Sequence, residues 1–95
     1  MIYRLFEIIA ERKEFQRQGS YTNELLASGQ NRILQKVGEE CVELIIAAAN
    51  QGEERIIEEF ADLLYHSFVL LASCDISLAQ VEEELQKRHL GEHRG

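Results

Sequence analysis

Acidic side chains recur at helical spacing in two stretches of the chain. The first stretch holds Glu39, Glu40 and Glu43, and the second holds Glu59 and Asp62. Glu40 and Glu43 are three residues apart, as are Glu59 and Asp62, so the two members of each pair project from the same side of a helix. Carboxylates that converge raise one another's pKa unless a cation lies between them. The pattern predicts a site for a hard divalent cation, Mg²⁺ first and Mn²⁺ as a substitute.

A cation held by carboxylates is suited to phosphoryl chemistry. Mg²⁺ is often bound by carboxylates together with substrate phosphates. It can polarise a phosphoryl oxygen, activate a water molecule and orient a leaving pyrophosphate. Glutamates on the flank of an amphipathic helix usually face solvent, however, so geometry alone leaves both interpretations open. The candidate metal ligands are Glu40, Glu43, Glu59 and Asp62.

Basic and polar residues follow the same helix flanks. Arg32, Lys36 and Asn50 line the flank that carries Glu40, and His66 continues the second acidic ridge. Lys36 could hold a phosphate or pair with Glu40 four residues later, and Arg32 could do the first or face solvent. A single histidine beside an apolar run is more often a hydrogen-bonded packing residue than a ligand. Both roles stay open for each of these residues.

Helices account for nearly the whole chain, and an all-α fold of four to five helices is expected. The chain contains no proline and is rich in strong helix formers. Between the first two helices, the loop GSYTNELLASG should contain a short helical turn capped by Thr22 or Asn23 and closed by Gly29. Its Ser20, Tyr21 and Thr22 fit turn and cap roles when taken alone. The four helices are expected at about 2–18, 30–51, 53–73 and 78–89, with residues 91–95 frayed.

The two long central helices each have an apolar face at helical spacing. In the second helix the face comprises Ile33, Leu34, Val37, Cys41, Leu44, Ile45 and Ala48. In the third it comprises Ile56, Ile57, Phe60, Leu64, Ser67 and Leu71. If these faces pack antiparallel through a short turn at Gly52, the two acidic ridges can meet across a shared groove.

A homodimer is expected from the second half of the third helix. The segment from Leu63 to Leu71 is apolar nearly all round, with Val69 and Leu70 off the main stripe. A helix that is apolar on all sides needs neighbours on all sides. Four short helices should not enclose it well, which predicts that this helix lies near a dimer interface.

Charge and composition narrow the class of protein. The net charge of −7 argues against duplex nucleic acid as a partner, because phosphate contacts come from Lys and Arg. Glu7 and Glu11 interrupt the N-terminal apolar residues, so no signal peptide is expected, and no apolar run is long enough to cross a membrane. Cys41 and Cys74 lie in or at the end of helical apolar patterns and do not form a CxxC motif. They are therefore expected to be small buried thiols in a reducing compartment. A single cytoplasmic domain over residues 1–95 is the expectation.

Two longer motifs resemble a known family. EECVE at 39–43 followed by EFAD at 59–62 is similar to the EExxE…ExxD signature of the all-α nucleoside triphosphate pyrophosphohydrolases, the MazG-like superfamily. The flanking stretches GSYTNELLASG, RILQKVGEE, AAAN and ADLLYHSFVLLA resemble the phosphoribosyl-ATP pyrophosphohydrolases within it. The likeness runs from Gly19 to about His89.

The resemblance implies Mg²⁺-dependent hydrolysis of 1-(5-phosphoribosyl)-ATP to phosphoribosyl-AMP and pyrophosphate, the second step of histidine biosynthesis, by a dimer of helical bundles. It implies that Glu39 is a ligand or helps to position and deprotonate water. Many relatives carry Lys at the position of Ala49, and Arg32 or Arg55 would replace it here. The implied metal ligands are Glu40, Glu43, Glu59 and Asp62, and the implied substrate contacts are Ser20, Tyr21, Thr22 and Lys36, with Asn50 and His66 as lesser candidates.

Three other functions share some of these features. A housecleaning enzyme for other (d)NTPs would have the acidic residues but need not have the SYT loop or the DLLYH run. A di-iron carboxylate bundle needs Glu-x-x-His from two helices, and no Glu precedes a His by three residues here. A non-catalytic helical dimer would use its acidic residues only for solubility.

Overall fold

The computed structural model of the chain describes residues 1–90, which form helices and no strand. This confirms the expected all-α fold. The fraying expected for residues 91–95 lies outside the described range. The elements are α1 (Ile2–Glu14), α2 (Tyr21–Ser28), α3 (Gln30–Asn50), α4 (Glu53–Ser73) and α5 (Leu78–Leu85), followed by a π-helical turn over Gln86–Leu90.

The first helix ends at Glu14, earlier than the expected Gln18. Its last carbonyl groups find a partner outside the helix, because the Asn23 side-chain amide donates to the Arg12 carbonyl oxygen at 2.7 Å. The Asn23 side-chain oxygen in turn accepts from the backbone N–H of Arg17 at 2.7 Å. One side chain of α2 thus satisfies backbone groups on both sides of the α1 terminus, so the chain can leave the helix early.

The short helical turn predicted before α3 is a full two-turn helix, α2. Its N-cap is Ser20, whose hydroxyl accepts from the backbone N–H of Asn23 at 3.3 Å. The expected caps, Thr22 and Asn23, were therefore wrong by two or three positions. The helix closes at Gly29, as expected, with a φ of 99° that favours glycine.

Helices α3 and α4 form the antiparallel hairpin expected from the Gly52 turn. Ile33, Glu40 and Ala47 are the buried residues of α3 and follow one another at intervals of seven. Glu59 and His66 are buried on α4 at the same interval. A seam between two helices repeats at about this spacing, so the seam of this hairpin contains acidic positions.

The hydrophobic core lies where α1 and α2 cover the hairpin half farthest from Gly52. Phe6 and Phe68 meet edge to face there, with ring centroids 5.6 Å apart. Val69 is fully buried within the single chain, whereas Leu63, Leu70 and Leu71 of the same segment are only half-buried. The homodimer expected from this segment therefore stays a prediction. The core residues are Ile9, Leu25, Ile33, Phe68, Val69 and Ala72.

The hairpin half nearest Gly52 exposes apolar residues that were expected to be buried. Leu34, in the other half of the hairpin, is 48% exposed, and in the half nearest Gly52 Ile45 of α3 is 67% exposed. Ile57 and Phe60 of α4 are 61% and 56% exposed. Ala48 is exposed as well. The predicted faces were therefore rotated relative to the observed ones, because the seam includes Glu40 and Glu59 in place of these apolar side chains.

The fourth predicted helix begins as expected, with a capping box at Ser77 and Gln80. The Ser77 hydroxyl accepts from the Gln80 N–H at 3.2 Å, and the Gln80 side chain accepts from the Ser77 N–H at 2.8 Å. Among residues 1–90, no single helix combines the length and apolar character needed to cross a membrane. Helix α4 and the segment Leu78–His89 reach that length and apolar character only when taken together, and the chain bends by 109° between them.

Candidate functional site

Three of the four expected metal ligands meet in the hairpin seam. Glu40, Glu43 and Glu59 each offer one carboxylate oxygen, and these oxygens lie within 4.8 Å of one another. We call these three residues the acidic cluster. Asp62 does not belong to this tight group, but it is close enough that its charge raises the pKa of Glu40.

Two members of the acidic cluster are buried and lack partners. Glu40 is 6% exposed and Glu59 is 3% exposed. The Oε1 atom of each has no hydrogen-bond donor within residues 1–90. A buried carboxylate oxygen without a donor is costly, and the cost is removed when the oxygen binds a cation. The orphaned oxygens therefore fit a bound metal ion.

The other oxygen of each buried carboxylate faces a basic side chain one turn earlier in its helix. Lys36 Nζ lies 3.7 Å from Glu40 Oε2. Arg55 pairs with Glu59 Oε2 and also with Glu58. The pKa of Arg55 is raised, first by its hydrogen bond to Glu58 and then by the charge of Glu59. The two bases therefore neutralise only part of the negative charge in the seam.

Burial and mutual repulsion raise the pKa values of two acidic residues. For Glu40 the largest cause is burial, followed by the charges of Asp62 and Glu43. For Glu43 the largest cause is the close approach of its carboxyl group to that of Glu59, and the charge of the Glu59 carboxylate acts in the same direction. Both shifts mean that ionising the seam fully is unfavourable without a cation.

The donor set suits a hard cation. Within residues 1–90, the acidic cluster offers only carboxylate oxygens, with neither Cys nor His among its members. Such ligands favour Mg²⁺ or Mn²⁺ over Zn²⁺, which prefers nitrogen and sulfur. Glu39 lies outside the acidic cluster, where its side chain accepts from Gln35 Nε2 at 3.1 Å and approaches Lys36 Nζ at 3.7 Å. Lys36 thus faces both Glu39 and Glu40.

A hydrogen-bonded aromatic group adjoins the acidic residues. His66 Nδ1 lies 2.8 Å from the carbonyl oxygen of Asp62, which can only accept, so Nδ1 carries a proton. In the neutral ring Nε2 is then an acceptor, and the Tyr21 hydroxyl donates to it at 3.0 Å. His66 is 6% exposed. Its contacts are those of a satisfied, buried histidine that connects α2 to the carboxylate-bearing turn of α4.

Tyr65 completes this aromatic group and was not singled out from the sequence. Its hydroxyl forms a short hydrogen bond with the buried Thr22 hydroxyl. Its ring stacks on Tyr21, with centroids 6.2 Å apart and planes 23° apart. The sequence could have indicated Tyr65 as a site residue, because it follows Asp62 by three positions and therefore lies on the same side of α4.

The remaining candidates are arranged around this centre. Ser20 is half-buried and caps α2, while Arg32 is exposed and lines a cavity of about 180 Å³ with Tyr21. Asn50 is the exposed last residue of α3, seven residues and about 10 Å along the helix from Glu43. The structure therefore does not bring Asn50 to the acidic cluster.

An all-α chain whose antiparallel hairpin buries converging carboxylates has the architecture of the all-α nucleoside triphosphate pyrophosphohydrolases. Within that class, the chain belongs to the phosphoribosyl-ATP pyrophosphohydrolase family, whose profile matches residues 2–89. The resemblance drawn from the sequence is thereby confirmed.

Curated relatives agree with the family match. A phosphoribosyl-ATP pyrophosphatase of Bacillus cytotoxicus is 52% identical over 84 residues, which cover 88% of this chain and 78% of the relative. Enzymes of the same name from Bacillus cereus strain AH187 and Bacillus anthracis strain CDC 684 are each 48% identical over 85 residues, which cover 90% of this chain and 79% of each relative.

Proposed function

We propose that this chain hydrolyses 1-(5-phosphoribosyl)-ATP to 1-(5-phosphoribosyl)-AMP and pyrophosphate, the second step of histidine biosynthesis. Family membership supports the substrate. The observation that carries the chemistry is the convergence of Glu40, Glu43 and Glu59, with buried oxygens that lack donors among residues 1–90. A triphosphate needs a cation between itself and such a site, because both are negatively charged.

The acidic cluster is proposed to hold Mg²⁺, with Asp62 as a fourth ligand from the same helix as Glu59. When bound, the ion would polarise phosphoryl oxygens and lower the pKa of a water molecule. Mn²⁺ presents the same preference for oxygen ligands and should substitute. Asp62 is exposed and lies three residues after Glu59 on α4, so its side chain can turn toward an ion without unfolding the helix.

Glu39 is proposed to accept the proton of the attacking water. Its carboxylate is not a member of the acidic cluster, but Lys36 faces both Glu39 and Glu40 at 3.7 Å. In hydrolysis, the water oxygen forms a bond to phosphorus, the anhydride bond to pyrophosphate breaks, and the water proton passes to a base. Lys36 would then stabilise charge on the phosphates.

The first turn of α2 is proposed to contact substrate through Ser20, Tyr21 and Thr22. Tyr21 is 44% exposed while its hydroxyl is held by His66, so its ring is available to a ligand in a fixed orientation. Thr22 is buried and acts through Tyr65. Arg32 extends this surface, and Asn50, seven residues after Glu43 and about 10 Å along α3, is proposed as a more distant substrate contact.

A pyrophosphate-release assay tests the proposal. Purified protein should release pyrophosphate from phosphoribosyl-ATP in Mg²⁺, and the release should stop in excess EDTA and return with Mg²⁺ or Mn²⁺. Deoxynucleoside triphosphates in the same buffer are the matched comparison. Faster turnover of these nucleotides would overturn the assignment in favour of a housecleaning enzyme.

A homodimer is proposed through the exposed apolar end of the hairpin, which comprises Val42, Ile45, Ile46, Ile57 and Phe60. These side chains are roughly half exposed or more, and two copies that pair them would remove apolar surface from water. Val42 and Ile46 also line a shallow cavity with Glu39 and Glu43. A partner bound there would cover the edge of the acidic cluster.

A cytoplasmic location is part of the proposal. The substrate carries several phosphate charges, which do not cross a lipid bilayer unaided because burying charge in hydrocarbon is very costly. An enzyme that consumes it must therefore share the compartment in which ATP is available.

A further inference from the structure

A second polar cavity lies away from the acidic cluster. It has a volume of about 460 Å³ and opens where the end of α1 meets α2, the start of α3 and the end of α4. No carboxylate of the described residues lines it. In a chain with a net charge of −7, a cavity with cations and no acidic residue favours anions. Its polar walls are Arg12, Lys13, Gln16, Gln30 and Ser73.

Arg12 differs from the other basic residue of this cavity. Lys13 donates to Asp75 Oδ1 at 2.6 Å and to the Ala72 carbonyl oxygen at 3.2 Å, so its charge is compensated. Arg12 is half-buried and forms no ion pair with any carboxylate of residues 1–90. The positive charge of Arg12 is therefore uncompensated within these residues, and an oxyanion would compensate it with paired hydrogen bonds.

The cavity and the acidic cluster lie along one helix with the aromatic group between them. From Asp62, α4 reaches Tyr65 after about 5 Å and Ser73 after about 16 Å, at about 1.5 Å per residue. The Arg12 carbonyl oxygen accepts from the Asn23 side-chain amide at 2.7 Å, and the preceding residue, Thr22, bonds to the Tyr65 hydroxyl. The first turn of α2 therefore connects Arg12 to the aromatic group.

We propose that this cavity binds a phosphate monoester, the one on the second ribose of the substrate, with Arg12 as its principal contact. The inference rests on the proposed function. Phosphoribosyl-ATP carries a triphosphate at one end, a phosphate monoester at the other and adenine between them. The order of acidic cluster, aromatic group and Arg12 cavity matches this order of groups. The subsite distinguishes the substrate from ordinary nucleoside triphosphates, which lack the second phosphate.

Steady-state kinetics with two substrates test the subsite. Arg12→Gln should raise the KM for phosphoribosyl-ATP about 10- to 100-fold with little change in kcat, because a charge-assisted hydrogen bond contributes about 1.5–3 kcal/mol. With the matching ribosyl-ATP that lacks the 5-phosphate, wild type and variant should have the same KM. Arg4→Gln, on the same helix but paired with Glu7, is the control and should change neither value.

An equal effect on both substrates, or no effect on either, would overturn the subsite and leave Arg12 as a packing residue whose stem covers apolar surface. A thermal unfolding measurement on Arg12→Gln shows whether the substitution has instead destabilised the whole fold. A second measurement needs only the wild type: ribose 5-phosphate should shift backbone amide NMR signals of Gln30 and Ser73. Shifts confined to Glu43 and Glu59 would contradict the proposal.

The two hypotheses fail in different ways. If wild-type protein releases no pyrophosphate from phosphoribosyl-ATP, the proposed function is wrong. If it does so, but Arg12→Gln behaves as wild type toward both substrates, the proposed function stands and the subsite is wrong.

Discussion

At the scale of single residues, each buried carboxylate of the acidic cluster has a partner for only one of its two oxygens. In both Glu40 and Glu59, one oxygen faces a base located four residues earlier, and the other has no donor within residues 1–90. The bases limit the cost of holding two acids in the seam, and the orphaned oxygens keep affinity for a cation. Lys36 and Arg55 are therefore expected to influence metal affinity as well as substrate binding.

Replacing Glu40 by Gln should remove activity while keeping the fold. The amide has nearly the same size but cannot serve as an anionic ligand, so kcat/KM for pyrophosphate release should fall roughly 100-fold or more. Mg²⁺ binding, measured by isothermal titration calorimetry, should weaken in parallel. Urea unfolding in EDTA should show a variant at least as stable as wild type, because repulsion with Glu43 and Asp62 is relieved.

Glu54→Gln is the matched control for this substitution. Glu54 is exposed in the first turn of α4, and the change removes one negative charge without touching the acidic cluster. It should leave kcat/KM and Mg²⁺ affinity as in wild type. Unchanged Mg²⁺ binding in Glu40→Gln would support a non-catalytic helical protein whose acidic residues serve solubility.

The raised pKa of Glu40 predicts how stability depends on pH without metal. The folded protein retains the Glu40 proton to a higher pH than the unfolded chain does, so it binds more protons between the ordinary and the raised pKa. In that interval the free energy of unfolding must decrease as pH rises. Urea titrations in EDTA across this interval should show a steeper decrease for wild type than for Glu40→Gln. Parallel slopes would contradict the assigned cause.

At the scale of elements, two consecutive pairs attach α2 to α4. Tyr21 bonds to His66, and Thr22 bonds to Tyr65. Because His66 also donates to the Asp62 carbonyl oxygen, the position of the first turn of α2 is connected to the turn that carries Asp62. Substrate contacts on α2 would thereby be held at a fixed distance from the acidic residues of α4.

A double-mutant cycle measures this attachment. Thr22→Val and Tyr65→Phe should each lower the free energy of unfolding by about 1 kcal/mol, because each leaves the hydroxyl of a buried or half-buried residue without its partner. In a domain of this size that corresponds to about 4–8 °C in Tm. The double variant should lose less than the sum of the two, since neither hydroxyl remains. Strict additivity would show that the pair is not coupled.

At the scale of the whole molecule, the hairpin extends beyond the cover of α1 and α2. The half farthest from Gly52 contains the hydrophobic core, whereas the other half exposes apolar residues such as Ile57 and Phe60. A second copy is the occupant that would also lie against Glu39 and Glu43, through the cavity that these residues share with Val42 and Ile46. Dimerisation and catalysis are therefore expected to be linked.

Phe60→Glu should convert the proposed dimer to a monomer, since a charge placed within an apolar interface has no partner there. Sedimentation equilibrium should report a halved mass, with helical circular dichroism retained. Leu85→Glu is the control, because Leu85 is 53% exposed on α5 and lies outside the exposed apolar end of the hairpin. A wild-type protein that sediments as a monomer would contradict the dimer proposal.

Local features of this protein can be predicted from its sequence. The bounds of α4, the capping box at Ser77 and Gln80, and the i, i+3 acidic pairs depend on neighbours within a few positions. Helix propensity, caps and side-chain spacing act over that range, so the sequence contains the necessary information. The family motif belongs to the same level, because it combines these spacings with short flanking stretches.

Only the tertiary structure decided how far each helix is rotated about its axis. The sequence placed Glu40 and Glu59 on the flanks of the apolar stripes and Phe60 within a stripe, whereas the fold buries the two acids and exposes the aromatic ring. Contacts with α1 and α2, distant in sequence, determine that rotation because they cover one half of the hairpin and leave the other half open. The same long-range packing brings Arg12 to the first turn of α2, where its carbonyl oxygen accepts from Asn23, since residues on different helices meet only after the chain has folded.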